Sequence, residues 1–169
     1  MIARTVDRVL TAAEWLLVLA LAAMVAMVFG NVVLRYAFDS GITVSEELSR
    51  FLFVWLTFLG AVAVMRQGGH LGFDLAVRAL PRAGRQACRI LSDLLMLGCC
   101  AVFLRGAWSQ TLLNLSNAAP VSGVPLGWAY AAAVVSAAGL ALLVAADLLA
   151  ALRGEDPPEP PPDLVDPGA

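Results

Sequence analysis

The sequence contains no lysine, one histidine, three cysteines and only 14% charged residues. Each shortage removes a class of function. Without lysine, and with a formal net charge of -2, the chain lacks the basic surface needed to hold a polyanion, so no nucleic acid partner is expected. A haem-anchoring helical subunit needs two axial ligands, and the lone His70 has no second histidine to work with. The cysteines are Cys88 and the adjacent pair Cys99 and Cys100, whose side chains diverge by about 100° on a helix. C-x-x-C spacing is absent, so the thiols read as small apolar filler. No metal, no cofactor and no enzymatic centre are expected. Proline is missing from every long apolar run, which argues against the broken helices that carriers use to build a midplane site.

Apolar length is what the chain has in excess. Residues of hydrophobic type make up 60% of it, and the mean hydropathy is +0.82. Too little polar material remains to coat a soluble globule. Four runs, Trp15 to Leu34, Leu48 to Met65, Ile90 to Leu112 and Trp128 to Leu149, are each long enough to cross about 30 Å of hydrocarbon as a helix. The expected class is therefore an all-α integral membrane protein. Four transmembrane helices fill residues 1–153, and the acidic, proline-rich residues 154–169 form a disordered tail. The first run is long for a signal core and is followed by no small-residue cleavage site, so it reads as an uncleaved anchor.

Arginine placement sets the orientation. Arg4, Arg8, Arg66, Arg78, Arg82, Arg85, Arg89 and Arg153 fall on one side of such a bilayer, against Arg35 and Arg50 on the other. The positive-inside rule then places both termini in the cytoplasm. Trp15 at the inner boundary and Tyr36, Trp108, Trp128 and Tyr130 at the outer one agree with that depth. Trp55 falls in mid-span, where its N–H needs a partner, so it is expected to face protein.

Between the second and third spans, Phe73, Val77 and Leu80 form one face, with Asp74 and Arg78 on another. This predicts a short interfacial amphipathic helix within residues 68–86, ended by Pro81, with arginines reaching lipid phosphates. Small residues recur every four positions at Ala22, Ala26 and Gly30, and again at Ala129, Ala133, Ala137, Ala141 and Ala145, as ridges for close helix packing. Thr43 with Glu46 fits a capping box for the second span, and Ser45 is an alternative cap. Arg35 with Asp39, and Glu46 with Arg50, are spaced to meet one turn apart.

An ionisable group inside a span is a functional candidate because it costs about 2.5–3.5 kcal/mol at the helix centre. Glu14, Arg66, Arg89, Asp93 and Asp147 all fall near the inner interface, and no acid falls at the midplane. Arg105 lies deeper. It either snorkels or pairs with Glu46 or Glu47. A self-contained pump is disfavoured by this layout. A small four-helix multidrug exporter would make use of Glu14 but calls for a weak arginine bias. A membrane anchor for a redox enzyme is the other alternative.

Four patches in order resemble the small, Q-type (DctQ-like) membrane subunit of the tripartite ATP-independent periplasmic (TRAP) transporters. They are NVVLRYAF from Asn31, EELSRFLFVWLTFLGA from Glu46, RQGGHLGFD with Arg66, His70 and Asp74, and PVSGVP from Pro120. The resemblance implies a subunit with no substrate site of its own. It would scaffold a large TRAP membrane subunit for sodium-coupled uptake of an organic acid, which a periplasmic substrate-binding protein delivers. On that basis Arg35, Glu46, Glu47 and Arg50 fix the outer helix ends or contact partners there, or else form a local ion-pair network. Arg66, His70 and Asp74 hold the turn into the interfacial helix. Arg105 has no counterpart in the family pattern.

Overall fold

The computed structural model describes residues 2–66 and 80–154, with side chains described for 15–65 and 80–154. Four helices account for nearly all of them: α1 (Ile2–Phe38), α2 (Thr43–Arg66), α3 (Arg82–Asn114) and α4 (Gly127–Leu152). Among the described residues there is no strand, only a single bridge between Ala118 and Pro125. Each helix contains an apolar window long enough to cross a membrane. The apolar runs are thus found as helices, but every helix extends past its run. Backbone groups at the polar boundary are still best satisfied by helix hydrogen bonds, so the helix continues until a turn residue stops it.

α1 is continuous from Ile2, so the charged residues 4–8 belong to the same helix as the first span. It stops where Asp39 adopts the left-handed conformation (φ 48°) and the Ser40 N–H reaches back to the Leu34 carbonyl. Aspartate tolerates that region better than most residues. The residues Arg82 to Gln86, expected as connection, already form the first turns of α3, which starts directly after Pro81. The interfacial helix predicted from Phe73 and Val77 lies outside the described residues.

The chain divides into two compact units. The first combines residues 1–63 with 105–136. Here the start of α4 meets the end of α3 at Gly127, where an added Cβ would sit 3.0 Å from the Thr111 carbonyl oxygen and 3.1 Å from Leu115 Cα. Only glycine allows that approach. Ala132, Ala133 and Ser136 of α4 are buried in this unit, as is Ala107 of α3. The Trp55 indole donates to the Trp128 carbonyl at 3.1 Å, so the mid-run tryptophan does face protein.

The second unit combines residues 64–104 with 137–169. Ala137, Val144 and Ala151 of α4 are its buried residues, and the Gln86 amide of α3 donates to the Ala151 carbonyl at 3.0 Å. α4 closes at Gly154, which supplies the positive φ (77°) of a helix stop. Asp93 is only 6% exposed, so its side chain turns into protein.

The two small-residue ridges fare differently. Ala22 and Ala26 are exposed, and within this chain α1 turns Met24, Met27, Gly30, Asn31 and Leu34 inward. The physical cause is a tether: Ser45 holds the Met27 carbonyl, which fixes the rotation of α1. On α4 the expected stripe is packed: Ala133 and Ala137 are buried and Ala129, Ala141 and Ala145 half-buried, beside the buried Ala132, Ser136, Val144 and Ala151. In the most apolar windows only 6% of residues in α1, α2 and α3 are buried, against 28% in α4. The first three helices therefore leave most of their apolar surface for lipid or another protein.

Gly127→Ala should lower stability by about 1–3 kcal/mol through overpacking against backbone atoms that have little room to move. Gly98→Ala, where nothing lies within 4 Å of the added carbon, should be neutral or slightly stabilising. Thermal unfolding of the two variants in detergent checks the contrast, and equal melting temperatures would contradict it.

Candidate functional site

The corner between α1 and α2 spans only residues 39–42, so the two helix ends lie close and polar side chains of one can serve the backbone of the other. Asn31 reaches across twice, once to the backbone and once to a side chain. Its Oδ1 accepts the Ile42 N–H at 2.7 Å, and its Nδ2 donates to Glu46 Oε1 at 3.2 Å. With 8% exposure it is the most buried residue of the described part of α1. Ser45 Oγ donates to the Met27 carbonyl at 3.0 Å, and Ser49 Oγ to the Ser45 carbonyl at 2.7 Å. The expected local caps are thus replaced. The N–H at the start of α2 is taken by Asn31 across the corner, Ser45 is spent on α1, and Glu46 bonds Asn31 instead of closing a capping box or meeting Arg50.

Glu47 reaches a different element. Its Oε2 accepts the Ser122 N–H at 2.5 Å and so pins the loop between α3 and α4 to the first turn of α2. That loop is ordered by its own backbone: Ala119 N–H to the Val124 carbonyl at 2.8 Å, and Leu126 N–H to the Asn117 carbonyl at 2.7 Å. Gly123 provides the left-handed turn residue (φ 70°), and Val124 N–H bonds Ser122 Oγ at 3.3 Å. Pro120 and Val121 stand exposed on the tip. A charge-free loop is held in one conformation by a carboxylate that belongs to α2.

Asn31, Arg35, Asp39, Ser40, Gly41, Thr43 and Glu46 line an open polar hollow of about 410 Å³ at the corner. Arg35 and Asp39 share that hollow, and Arg50 is exposed one turn beyond it. Arg105 is exposed on α3, and the two acids proposed as its partners are engaged by Asn31 and Ser122. Arg66 ends α2, but its side chain, like His70 and Asp74, lies outside the described residues. Of the sequence-predicted set, the structure joins Arg35 and Glu46 at one hollow and sends Glu47 to a separate loop. Sequence reasoning passed over Asn31 and Ser122 as individual residues, although both sit in motifs it singled out. The available signal for Asn31 was a lone amide inside an apolar run, four residues before an arginine.

Asn31→Leu should cost about 1–2 kcal/mol, since it strands the Ile42 N–H and removes the Glu46 bond. Asn31→Asp keeps the acceptor for Ile42 but sets a second carboxylate against Glu46, so adding Glu46→Gln should recover much of its loss. Unfolding curves of the single and double variants check this. A defect in the aspartate variant that Glu46→Gln leaves unchanged would rule out Glu46 as the partner.

Comparison with known proteins matches the same stretch of chain. Residues 24–154 fit the family model described as "Tripartite ATP-independent periplasmic transporters, DctQ component". Two relatives from Haemophilus influenzae, both bearing the name TRAP transporter small permease protein, are 44% and 36% identical, over 83% and 85% of this chain and 85% of each relative. The C4-dicarboxylate TRAP transporter small permease protein DctQ of Vibrio cholerae is 30% identical over 57% of this chain and 41% of its own length. The matched region runs from within α1 to the stop of α4 and includes both the Asn31 corner and the pinned loop. This chain, with its four membrane-spanning-length helices, therefore belongs to the DctQ family, the small permease subunits of the TRAP transporters.

Proposed function

We propose that this small permease subunit is a static brace. It packs against the scaffold of the large TRAP membrane subunit and presents an outer surface to a periplasmic substrate-binding protein. The observation that carries the reading is how the two acids at the start of α2 are used: Glu46 bonds the Asn31 side chain of α1, and Glu47 the Ser122 N–H of the loop before α4. Acids that tie elements together suit a frame better than a carrier. The large uncovered apolar surface of α1, α2 and α3 supports the same reading, because a brace needs a face to offer its companion.

Finer features of the proposal rest on sequence and family. Sodium coupling comes from the resemblance. An organic acid as cargo draws support from the names of the Vibrio cholerae and Pseudomonas aeruginosa relatives, both C4-dicarboxylate TRAP transporter small permeases. The arginine bias supports an inner-membrane chain with both termini in the cytoplasm. Within residues 68–86 an interfacial helix, with Arg66, His70 and Asp74 at the turn leading into it, remains part of the proposal. So do a transmembrane domain over residues 1–153 and a separate acidic tail over 154–169. Arg35, Arg50 and Arg105 are proposed as membrane-boundary or partner contacts.

Affinity capture of the full chain from its native membrane should bring down a large polytopic membrane protein, and the chain alone in liposomes should move no solute. Solute movement by the isolated chain would overturn the brace. Glu47→Ala should reduce uptake by the assembled transporter several-fold, because it releases the loop held at Ser122, whereas Glu14→Ala should leave uptake close to normal. Equal, unimpaired uptake in both variants would remove Glu47 from the proposal.

A further inference from the structure

The hollow at the α1–α2 corner has features that bracing leaves unused. Its volume of about 410 Å³ lies at the low end of small-ligand sites, too small for a helix of a partner. Its lining carries both signs of charge. Among the described residues, the Arg35 guanidinium has no acid bonded to it. Asp39 offers a carboxylate, and Glu46 commits one oxygen to Asn31 and keeps the other. Thr43 brings the start of α2 to the same wall, and a helix start contributes roughly half a positive charge.

The end of α1 at Phe38 offsets the start of α2, which leaves one guanidinium facing two carboxylates, and this mixture of signs selects the guest. A purely anionic group meets two carboxylates. A purely cationic group meets a guanidinium and a helix start. A group carrying both charges satisfies every wall. Location narrows the choice further, because the hollow joins the end of one membrane-length span, at Phe38, to the start of the next, at Thr43. It therefore opens at the polar boundary of the bilayer, where lipid headgroups are concentrated. Phe38 and Ile42 flank the opening with exposed apolar side chains, 71% and 51% exposed, that suit the first part of an acyl chain.

We infer that this hollow binds the headgroup of a phosphatidylethanolamine, with its phosphate on Arg35 and the first turn of α2 and its ammonium between Asp39 and Glu46. The primary ammonium has three N–H donors for the two carboxylates, whereas a choline headgroup has none. Phosphatidylglycerol keeps the phosphate but offers the acids only neutral hydroxyls and no positive charge. The inference requires only that α1 and α2 span a membrane and does not depend on the bracing role.

The test uses the full chain in nanodiscs made from equal parts of phosphatidylethanolamine, phosphatidylglycerol and phosphatidylcholine, with the lipids retained after gentle extraction counted by native mass spectrometry. Phosphatidylethanolamine should be retained about threefold or more above the other two. Arg35→Gln and Asp39→Asn should each return retention to the disc composition, and asparagine tolerates the left-handed backbone at position 39, so that change tests charge and not folding. Arg105→Gln on α3 should keep the enrichment. Retained lipid that mirrors the disc in the wild-type chain, or enrichment that survives Arg35→Gln in a variant with an unchanged melting temperature, would overturn the site. A separate arm offers soluble phosphoethanolamine to discs lacking the ethanolamine lipid. Saturable binding there at a strength matching the lipid would reassign the hollow to a free phosphoamine, and absence of such binding supports the lipid.

Discussion

Hydrocarbon offers no hydrogen-bond partners, so every peptide group inside the membrane must be paired by the chain itself. Helices meet that demand along their length and fail it at their ends, where several N–H and C=O groups are left over. In this protein side chains borrowed from other elements help to complete the ends. Asn31 takes the N–H at the start of α2, Ser45 donates to a carbonyl of α1, and Gln86 donates to the carbonyl of Ala151 near the end of α4. Glu47 takes an N–H of the loop before α4, and Trp55 donates to the carbonyl of Trp128 in its first turn. Asn31, Glu47 and Gln86 thus serve backbone groups at or beyond helix ends, Ser45 and Trp55 add a second bond to carbonyls already within a helix, and every one of these bonds ties two elements.

That double use bears on function. A polar side chain spent on the backbone of a neighbouring helix fixes the neighbour's position and is no longer available to bind cargo. Glu47 is used in this way: the loop after α3 is held in one conformation by a carboxylate outside it. A rigid, uncharged tip loses little freedom on docking, which suits a surface meant to be recognised. Membership in the DctQ family and the bracing role proposed here are compatible with such economy.

Much of this fold was legible from the residues. Uninterrupted apolar length required helices, and the mid-span indole of Trp55 required a partner, which it has. The corner was harder. Thr43, Ser45 and Glu46 form a sensible local cap on paper, but a four-residue connection brings Asn31 close enough to compete, and the tertiary bonds win. The small-residue ridge of α1 failed for a related reason: spacing shows that one face is smooth, but the tether at Met27 decides which face turns inward. For Arg105, similar depth suggested a pair with Glu46 or Glu47, yet each of those acids bonds a different element, Glu46 at Asn31 and Glu47 at Ser122.

By itself the sequence determined how many times the chain can cross a membrane, where each crossing lies and which side its arginines favour, because transfer of apolar area and charge depends on composition along a short window. It also carried the motifs of the family. Only the tertiary structure decided which polar groups meet, which glycine admits a neighbouring backbone and which alanines are buried. Those outcomes depend on the rotation and approach of helices, set by contacts between residues far apart in the chain, such as Glu47 with Ser122 and Gln86 with Ala151.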